Sequence, residues 1–370
     1  MIILKIIAVL SILLYVGFLL YGAIGYLKLP AFTSNANKHS VKTCIIICAR
    51  NEEKYIEACL NSILEQDFDK NLLELILMND ASTDNTLNLA EVILQKSNLN
   101  YTIISNSVQE GKKKSITNAI EHCGSDLIIT RDADTYTTSN NWLSTIVSFY
   151  EQTQSEFIIA PVNIKSENTF LGSMQIFEND SLAILTAGYA FRKKAFLCNG
   201  ANLAFSKKIF QSVKGYSSHQ NIASGDDTLF LEDVKKVSPE KIGYLKNFDA
   251  LVYSYPLQTA KEILHQKLRW ASKFDSNPNQ FNQILGFLVF LIHVYSLFFL
   301  IIPLFSHHLP VFGLFFVLMR FFIDFLLLFL ASRYYKKAMF WWWLVPVWMA
   351  YSFVVLSVGI LSWFYKPKWK

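Results

Sequence analysis

Apolar residues fill four long stretches of the chain almost without interruption and alternate with polar ones elsewhere. Residues 2–27 carry one charge, Lys5, while 284–304, 310–330 and 340–363 are dominated by Phe, Leu, Ile, Val and Trp. Each stretch reaches the roughly 20 apolar residues that span a bilayer. The pattern predicts one transmembrane helix over 1–28 and about three over 284–370. A cleaved signal peptide is the alternative for the first stretch. Its apolar core is too long for that, and "YGAIGY" is a poor cleavage site, so a retained anchor is expected.

Between the spans the period changes. "TCIIICA" is a buried-strand run, followed by "EEKYIEACLNSILEQ", whose Ile56, Leu60, Ile63 and Leu64 have helical spacing. "LELILM" predicts a second strand and "DNTLNLAEVILQK" a helix opened by Asp84 and Asn85. "YTIIS", "KKSITNAIEHC" and "DLIIT" continue as strand, helix and strand. The alternation predicts βαβ units and a mostly parallel, Rossmann-like sheet in a domain over 40–256. Further on, "EFIIAPVNI" reads as a fifth strand, "LGSMQIFENDSLAILTAGYAF" as a long helix and "KIGYLKNFDALVYSY" as strand material. Over 257–283, Ile263, Leu264, Leu268 and Trp270 lie beside Lys261, Lys267, Arg269 and Lys273, the pattern of an amphipathic helix at a membrane surface.

Charge sets the orientation. Arg333, Lys336 and Lys337 lie between the last two spans, and "SHHLP" between the preceding two has no Lys or Arg. The positive-inside rule then makes the central domain cytoplasmic, although "YKPKWK" falls on the far side against that rule. The net charge of +5 comes without a basic cluster interleaved with aromatics, so no nucleic-acid partner is expected. Five cysteines without a histidine cluster predict reduced thiols rather than a zinc site.

The chemistry lies in the polar clusters. In open parallel sheets ligands bind beyond the carboxyl ends of the strands. "ARNEE", "NDASTDNT" and "RDADT" follow the first, second and fourth strands. Asp132 and Asp134 place two carboxylates one residue apart, a conflict that Mg²⁺ or Mn²⁺ bound to a diphosphate would relieve. Asp80 lies where a nucleotide would dock, with an Asx turn as the plainer alternative. Lys112 opens a helix and could approach phosphates, or be a solvated lysine. Asp226 and Asp227 form a second acidic pair, one able to cap the helix from Thr228 and the other to act as general base. In "HQKLRW", Arg269 is a permanent cation and Trp270 a flat face for a sugar ring, or both belong to an interfacial helix. Arg320 and Asp324 share one face of a span and are expected to neutralise each other, with an acceptor-headgroup contact as the alternative.

Taken in order, Ala49-Arg50-Asn51-Glu52, "NDASTDNT", "DAD", "GDD" and Q-x-x-R-W resemble the family 2 inverting glycosyltransferases of GT-A fold. The resemblance covers about 40–275 and is to the membrane-embedded branch with cellulose, chitin and hyaluronan synthases and ceramide glucosyltransferase. It implies a GT-A domain inserted between transmembrane helices of a bacterial plasma membrane. It also implies that Ala49, Glu52, Asp80, Lys112, Asp132 and Asp134 bind the donor, with Asp132 and Asp134 at the metal. Asp227, or Asp226, would be the catalytic base. Asn199 and Gly200 would lie by the acceptor, and Gln266, Arg269 and Trp270 would hold the diphosphate and the acceptor end. Asn79 stands where the family usually has an acid, "SGDD" replaces the commoner Glu-Asp, and about three trailing spans are fewer than polymer-secreting synthases carry.

The expected activity is transfer from a nucleotide-sugar, with UDP the expected nucleotide, to a lipid-linked, glycolipid or polysaccharide acceptor at the cytoplasmic face. The rivals are a processive polysaccharide synthase and an inactive sugar-nucleotide-binding membrane scaffold.

Overall fold

The computed structural model describes residues 2–34, 38–220, 222, 225–271, 280–304, 311–335 and 340–365. The chain opens with α1 (Ile2–Lys28). Strands and helices then alternate as β1 (Thr43–Ala49), α2 (Ile56–Leu64), β2 (Leu73–Asn79), α3 (Thr86–Gln95), β3 (Asn100–Ser105), α4 (Lys112–His122) and β4 (Leu127–Asp132). There follow β5 (Thr135–Tyr136), α5 (Trp142–Thr153), β6 (Phe157–Ile159), β7 (Val162–Ile164), α6 (Phe170–Phe191), β8 (Leu203–Ser206) and α7 (Lys207–Ser212). The last elements are α8 (Thr228–Val237), β9 (Ile242–Tyr244), β10 (Val252–Ser254), α9 (Ala260–Ala271), α10 (Gln280–Ile301), α11 (Val311–Tyr335) and α12 (Leu344–Leu361). They sort into two compact units.

The first unit, Leu29–Lys165 with Ala190–Tyr255, is built on a seven-stranded sheet of order β3-β2-β1-β4-β8-β6-β9. β1, β2, β3 and β4 are parallel, as their unbroken apolar runs predict, because such strands are covered on both faces. One core joins Ile45, Ile47, Leu75, Leu77 and Ile129 of the sheet to Leu60 of α2 and Trp142 and Ile146 of α5. The chain leaves β1 toward β2 on one side and returns to β4 on the other. Open sheets of this kind bind ligands at such a reversal, and at these carboxyl ends Cys48 faces Asp132 and Ala49 faces Asn79 in register.

Beyond β4 the structure departs from the sequence pattern. "EFIIAPVNI" is two strands. β6 joins the main sheet, while β7 pairs with β10 in a second sheet of order β5-β10-β7. The break falls at Ala160-Pro161, where proline has no N–H to continue the ladder. β8 was not legible as a strand and runs antiparallel to both β4 and β6.

The second unit contains α1, α9, α10, α11 and α12, and also Ser166–Tyr189 of the expected 40–256 domain, which carries most of α6. A side chain on Gly188 would run into the carbonyl of Gly22, so small residues let α6 and α1 approach backbone to backbone. Among the described residues four helices are long and apolar enough to cross a membrane: Ile3–Lys28, Gln280–Ile301, Val311–Tyr335 and Trp341–Leu361. Among them Arg320 and Asp324 do pair, at 3.3 Å. Asp324 also accepts from Tyr15 Oη at 2.7 Å and Trp348 Nε1 at 2.8 Å, and Arg320 donates to Ser352 Oγ at 2.9 Å. Lys336 and Lys337, the "SHHLP" loop and residues 366–370 of the tail lie outside the described residues, as does the end of the amphipathic segment from 272 to 279.

Candidate active site

The loops after β1 and β2 are laced together. Arg50 Nη1 donates to the carbonyls of Asp80 (2.7 Å) and Ala81 (3.0 Å), and Asn51 Oδ1 accepts from Thr83 N at 2.8 Å. Glu52 N donates to Thr86 Oγ1 at 2.7 Å, and Ala49 O accepts from Asp80 N at 2.9 Å. Asn51 and Ala81 both take left-handed backbone conformations, φ +54° each. For alanine that geometry is uncommon and persists only where neighbours hold it. Asp84, one residue before the N-cap Asn85, accepts from Thr86 N at 3.0 Å at the start of α3.

Asp80 is fully buried, and its carboxylate accepts from Asn106 Nδ2 (2.9 Å), Glu110 N (2.8 Å) and Gly111 N (2.9 Å). These bonds fix the turn at Gly111, φ +89°, that starts α4. Asp80 therefore aims the next residue, Lys112, a task that sequence position did not reveal.

Lys112 is the meeting point of the acidic motifs. Its Nζ lies 2.7 Å from Asp132 Oδ1 and 2.8 Å from Asp226 Oδ2. Burial by itself would lower the ammonium pKa, but the two carboxylates more than offset it and hold Lys112 well above its ordinary value. Below it, burial pushes the Cys48 thiol up, with Lys112 opposing and Asp226 and Asp132 adding to the rise. The compensation that the Asp132 charge requires is thus already present within the chain.

Gly200 closes the cluster. A Cβ there would lie 3.0 Å from Asp226 Oδ2 and 3.1 Å from Lys112 Nζ. Its carbonyl accepts from Thr130 Oγ1 at 3.0 Å, tying the "CNGAN" loop to β4. Asn199 is exposed and caps the short turn that follows, accepting from Ala201 N at 3.0 Å. Asn202 anchors the other end of that turn, donating to the carbonyls of Pro161 and Ala250 at 2.8 Å and accepting from Trp142 Nε1 at 3.1 Å.

The two members of the second pair separate by role. Asp226 takes Lys112. Asp227 caps α8, its Oδ1 accepting from Thr228 N at 2.6 Å and Thr228 Oγ1 at 2.9 Å, while Oδ2 faces Gly200 N at 3.4 Å. Asp134 sits half-buried in the turn between β4 and β5. Behind that turn Arg131 is buried over the Trp142 ring at 4.7 Å and donates to Ser62 Oγ at 2.9 Å, a support that the sequence reading missed. Asp132 and Asp226 converge on Lys112, and their carboxylate oxygens are donors of the hard kind that Mg²⁺ or Mn²⁺ favours, so in donor chemistry this pair fits a divalent metal.

Gln266, Arg269 and Trp270 belong to the unit of the long apolar helices, on α9. Gln266 and Arg269 are half-buried and Trp270 is exposed. Cys44, Glu74 and Cys123 gather at the amino ends of β1 and β2, the opposite end of the sheet from this cluster.

The family model described as glycosyl transferase family 2 matches residues 44–213. An uncharacterized glycosyltransferase from Haemophilus influenzae is 33% identical over 244 residues, 62% of this chain and 70% of that protein. The poly-beta-1,6-N-acetyl-D-glucosamine synthase of Staphylococcus aureus is 24% identical over 230 residues, 61% of this chain. The chain spans 53% of that synthase's length and 20% of that of another curated Staphylococcus aureus relative. Among solved structures, the mannosyltransferase PcManGT from Pyrobaculum calidifontis, in complex with GDP-Man and Mn²⁺, has a TM-score of 0.57 at 15% identity. It covers 98% of this chain and 97% of that one, a likeness of fold.

Proposed function

Because the chain belongs to glycosyltransferase family 2, we propose that it moves a sugar, with inversion, from a nucleotide-sugar to an acceptor held at a membrane. The observation that carries this reading is Lys112 joined to Asp132 and Asp226 at the carboxyl end of the parallel sheet. Two acids from separate loops and one cation meet there, a set suited to a diphosphate when a divalent cation balances the carboxylates. The donor is a UDP-sugar taken from the cytoplasmic side. The acceptor is a lipid-linked glycan, a glycolipid precursor or a surface polysaccharide, in keeping with four helices able to cross a bilayer.

In this mechanism the acceptor hydroxyl attacks the anomeric carbon from the side opposite the leaving diphosphate. Asp227 takes the proton. Its cap bonds to Thr228 through Oδ1 fix the carboxylate plane, and Oδ2, which already accepts from Gly200 N at 3.4 Å, is the oxygen that takes the proton. Asp226 holds Lys112, and Lys112 turns from the acids to the phosphates once a donor enters. Asp132 and Asp134 would hold Mg²⁺ or Mn²⁺, which supplies charge neutralisation for the departing diphosphate. Ala49 and Glu52 line the donor side, Asn199 and Gly200 the acceptor side, and Gln266, Arg269 and Trp270 serve the diphosphate and the acceptor end.

A screen of the detergent-solubilised chain against a panel of nucleotide sugars with Mn²⁺ or Mg²⁺ tests this. Release of nucleotide from at least one donor is expected, abolished in Asp227→Asn. No release from any donor, with or without membrane lipid extract as acceptor, sinks the reading. The likeness to a polysaccharide synthase favours one second reading, processive extension. Product length separates the two, since single additions exclude processivity and long chains support it.

A further inference from the structure

Lys267 lies inside the Q-x-x-R-W motif, between Gln266 and Arg269, and is 7% exposed on an otherwise amphipathic helix. A buried ammonium is costly unless paired and hydrogen-bonded. Its partner is Glu178 of α6, with which it forms an ion pair. The other oxygen of Glu178, Oε1, accepts from Tyr351 Oη of α12 at 2.8 Å. Lys267 Nζ also sits 4.4 Å from the centre of the Trp270 ring, a cation–π contact with the motif tryptophan. One carboxylate therefore joins three helices of the same unit, and the ammonium it holds touches a motif side chain. Elsewhere α9 buries Ile263 and Leu268, is capped at its first turn by Thr259 and Glu262, and meets Tyr365 Oη through His265 Nδ1 at 3.2 Å.

We propose that Glu178, Lys267 and Tyr351 form a positioning clamp that sets the orientation of the Q-x-x-R-W helix, and through it the diphosphate grip of Arg269 and the ring of Trp270. None of the three touches the reacting atoms. The sequence hides the clamp because Glu178 lies 89 residues and Tyr351 84 residues from Lys267, and neither belongs to a recognisable motif. The proposal rests on the role given above to Arg269 at the leaving diphosphate.

The test uses the full-length chain in detergent, as Glu178→Gln, Lys267→Met and the charge-neutral double variant. The double variant carries no unpaired buried charge, so it remains testable if a single variant does not fold. Two measurements are made. Hydrogen exchange of the α9 amides, Ala260–Ala271, is expected to rise about tenfold or more in every variant while α10 and α11 stay as in the parent, since opening of one element follows the loss of its own contacts. Calorimetric affinity for UDP with Mn²⁺ is expected to fall about tenfold, equivalent to 1.4 kcal/mol, with uridine affinity unchanged. Unchanged α9 exchange overturns the clamp. Faster exchange with unchanged UDP affinity reduces it to a structural contact and overturns the positioning role. If the parent itself does not bind UDP, the donor reading falls, while the exchange result still decides whether the clamp holds the helix.

Discussion

Lys112 Nζ stands 2.7 Å from Asp132 Oδ1, so the acid that opens the D-x-D motif is balanced by the first residue of a helix twenty positions earlier. A cation of the chain itself thus occupies the place where the acids need positive charge. Any metal brought by the donor has to compete with it.

Lys112→Met removes that competitor. Breaking a buried pair costs about 3–5 kcal/mol and an exposed one under about 1. Asp132 keeps 36% of its side chain exposed, so a loss near the middle, about 1–3 kcal/mol, is expected. Mn²⁺ should raise the melting temperature more in the variant than in the parent, because it meets two uncompensated acids. Equal metal-induced shifts would show that Lys112 does not compete with the metal.

Asp227→Asn and Asp226→Asn should part company. Asparagine caps a helix about as well as aspartate, so Asp227→Asn is expected to cost little stability, within about 0.5 kcal/mol. Losing a general base costs about 10²–10⁴-fold in turnover. Asp226→Asn leaves Lys112 half-paired and should weaken donor binding more than turnover. The pair of kcat and KM values, set beside thermal melts, checks this. Donor KM rising only in Asp227→Asn would exchange the two roles.

Gly200→Ala brings a methyl to 3.0 Å from Asp226 Oδ2 and 3.1 Å from Lys112 Nζ. Both neighbours are ends of flexible side chains, so the fold should survive with a loss of about 1 kcal/mol or less. The cost falls on the cluster, and donor affinity is expected to drop about tenfold. Parent-like affinity would mean that the cluster tolerates displacement.

Near neutral pH, His219 makes a readable contribution to the pH dependence. Burial, helped by Lys113, pulls the His219 pKa below its ordinary 6.5, although Asp233 at 3.4 Å opposes the shift. The folded chain then prefers neutral histidine, while the unfolded chain takes up a proton once pH falls through about 6.5. Stability from this group is full above that value, declines as pH falls toward the lower folded value, and levels off beneath it. Melting temperatures from pH 7.5 to 5 should fall less for His219→Gln than for the parent. Identical slopes would remove His219 from the account.

Much of this architecture was legible along the chain. Thr43–Ala49, Leu73–Asn79 and Leu127–Asp132 announce themselves as strands because a parallel strand covered on both faces is an uninterrupted apolar run, and that is a local property. The four long apolar helices are legible for the same reason. So are the motif residues, since strand ends in an α/β sheet collect polar loops in sequence order. β8 escaped notice because four residues of "LAFS" carry too little pattern, and Pro161 split a strand whose composition read as continuous.

What the sequence alone determined, then, was the class of fold, the long apolar helices and the inventory of candidate site residues, each set by neighbours a few residues apart. Only the tertiary structure decided the pairings. It assigned Lys112 to Asp132 and Asp226, turned Asp80 inward onto the turn that aims Lys112, made Asp227 a cap, and moved most of α6 to the span unit, where Glu178 meets Lys267. Apart from the Asp227 cap, a bond to the next residue, such contacts join residues tens to over a hundred positions apart. Charge pairing in a buried site depends on distance and desolvation in space, and neither is written in the order of the residues.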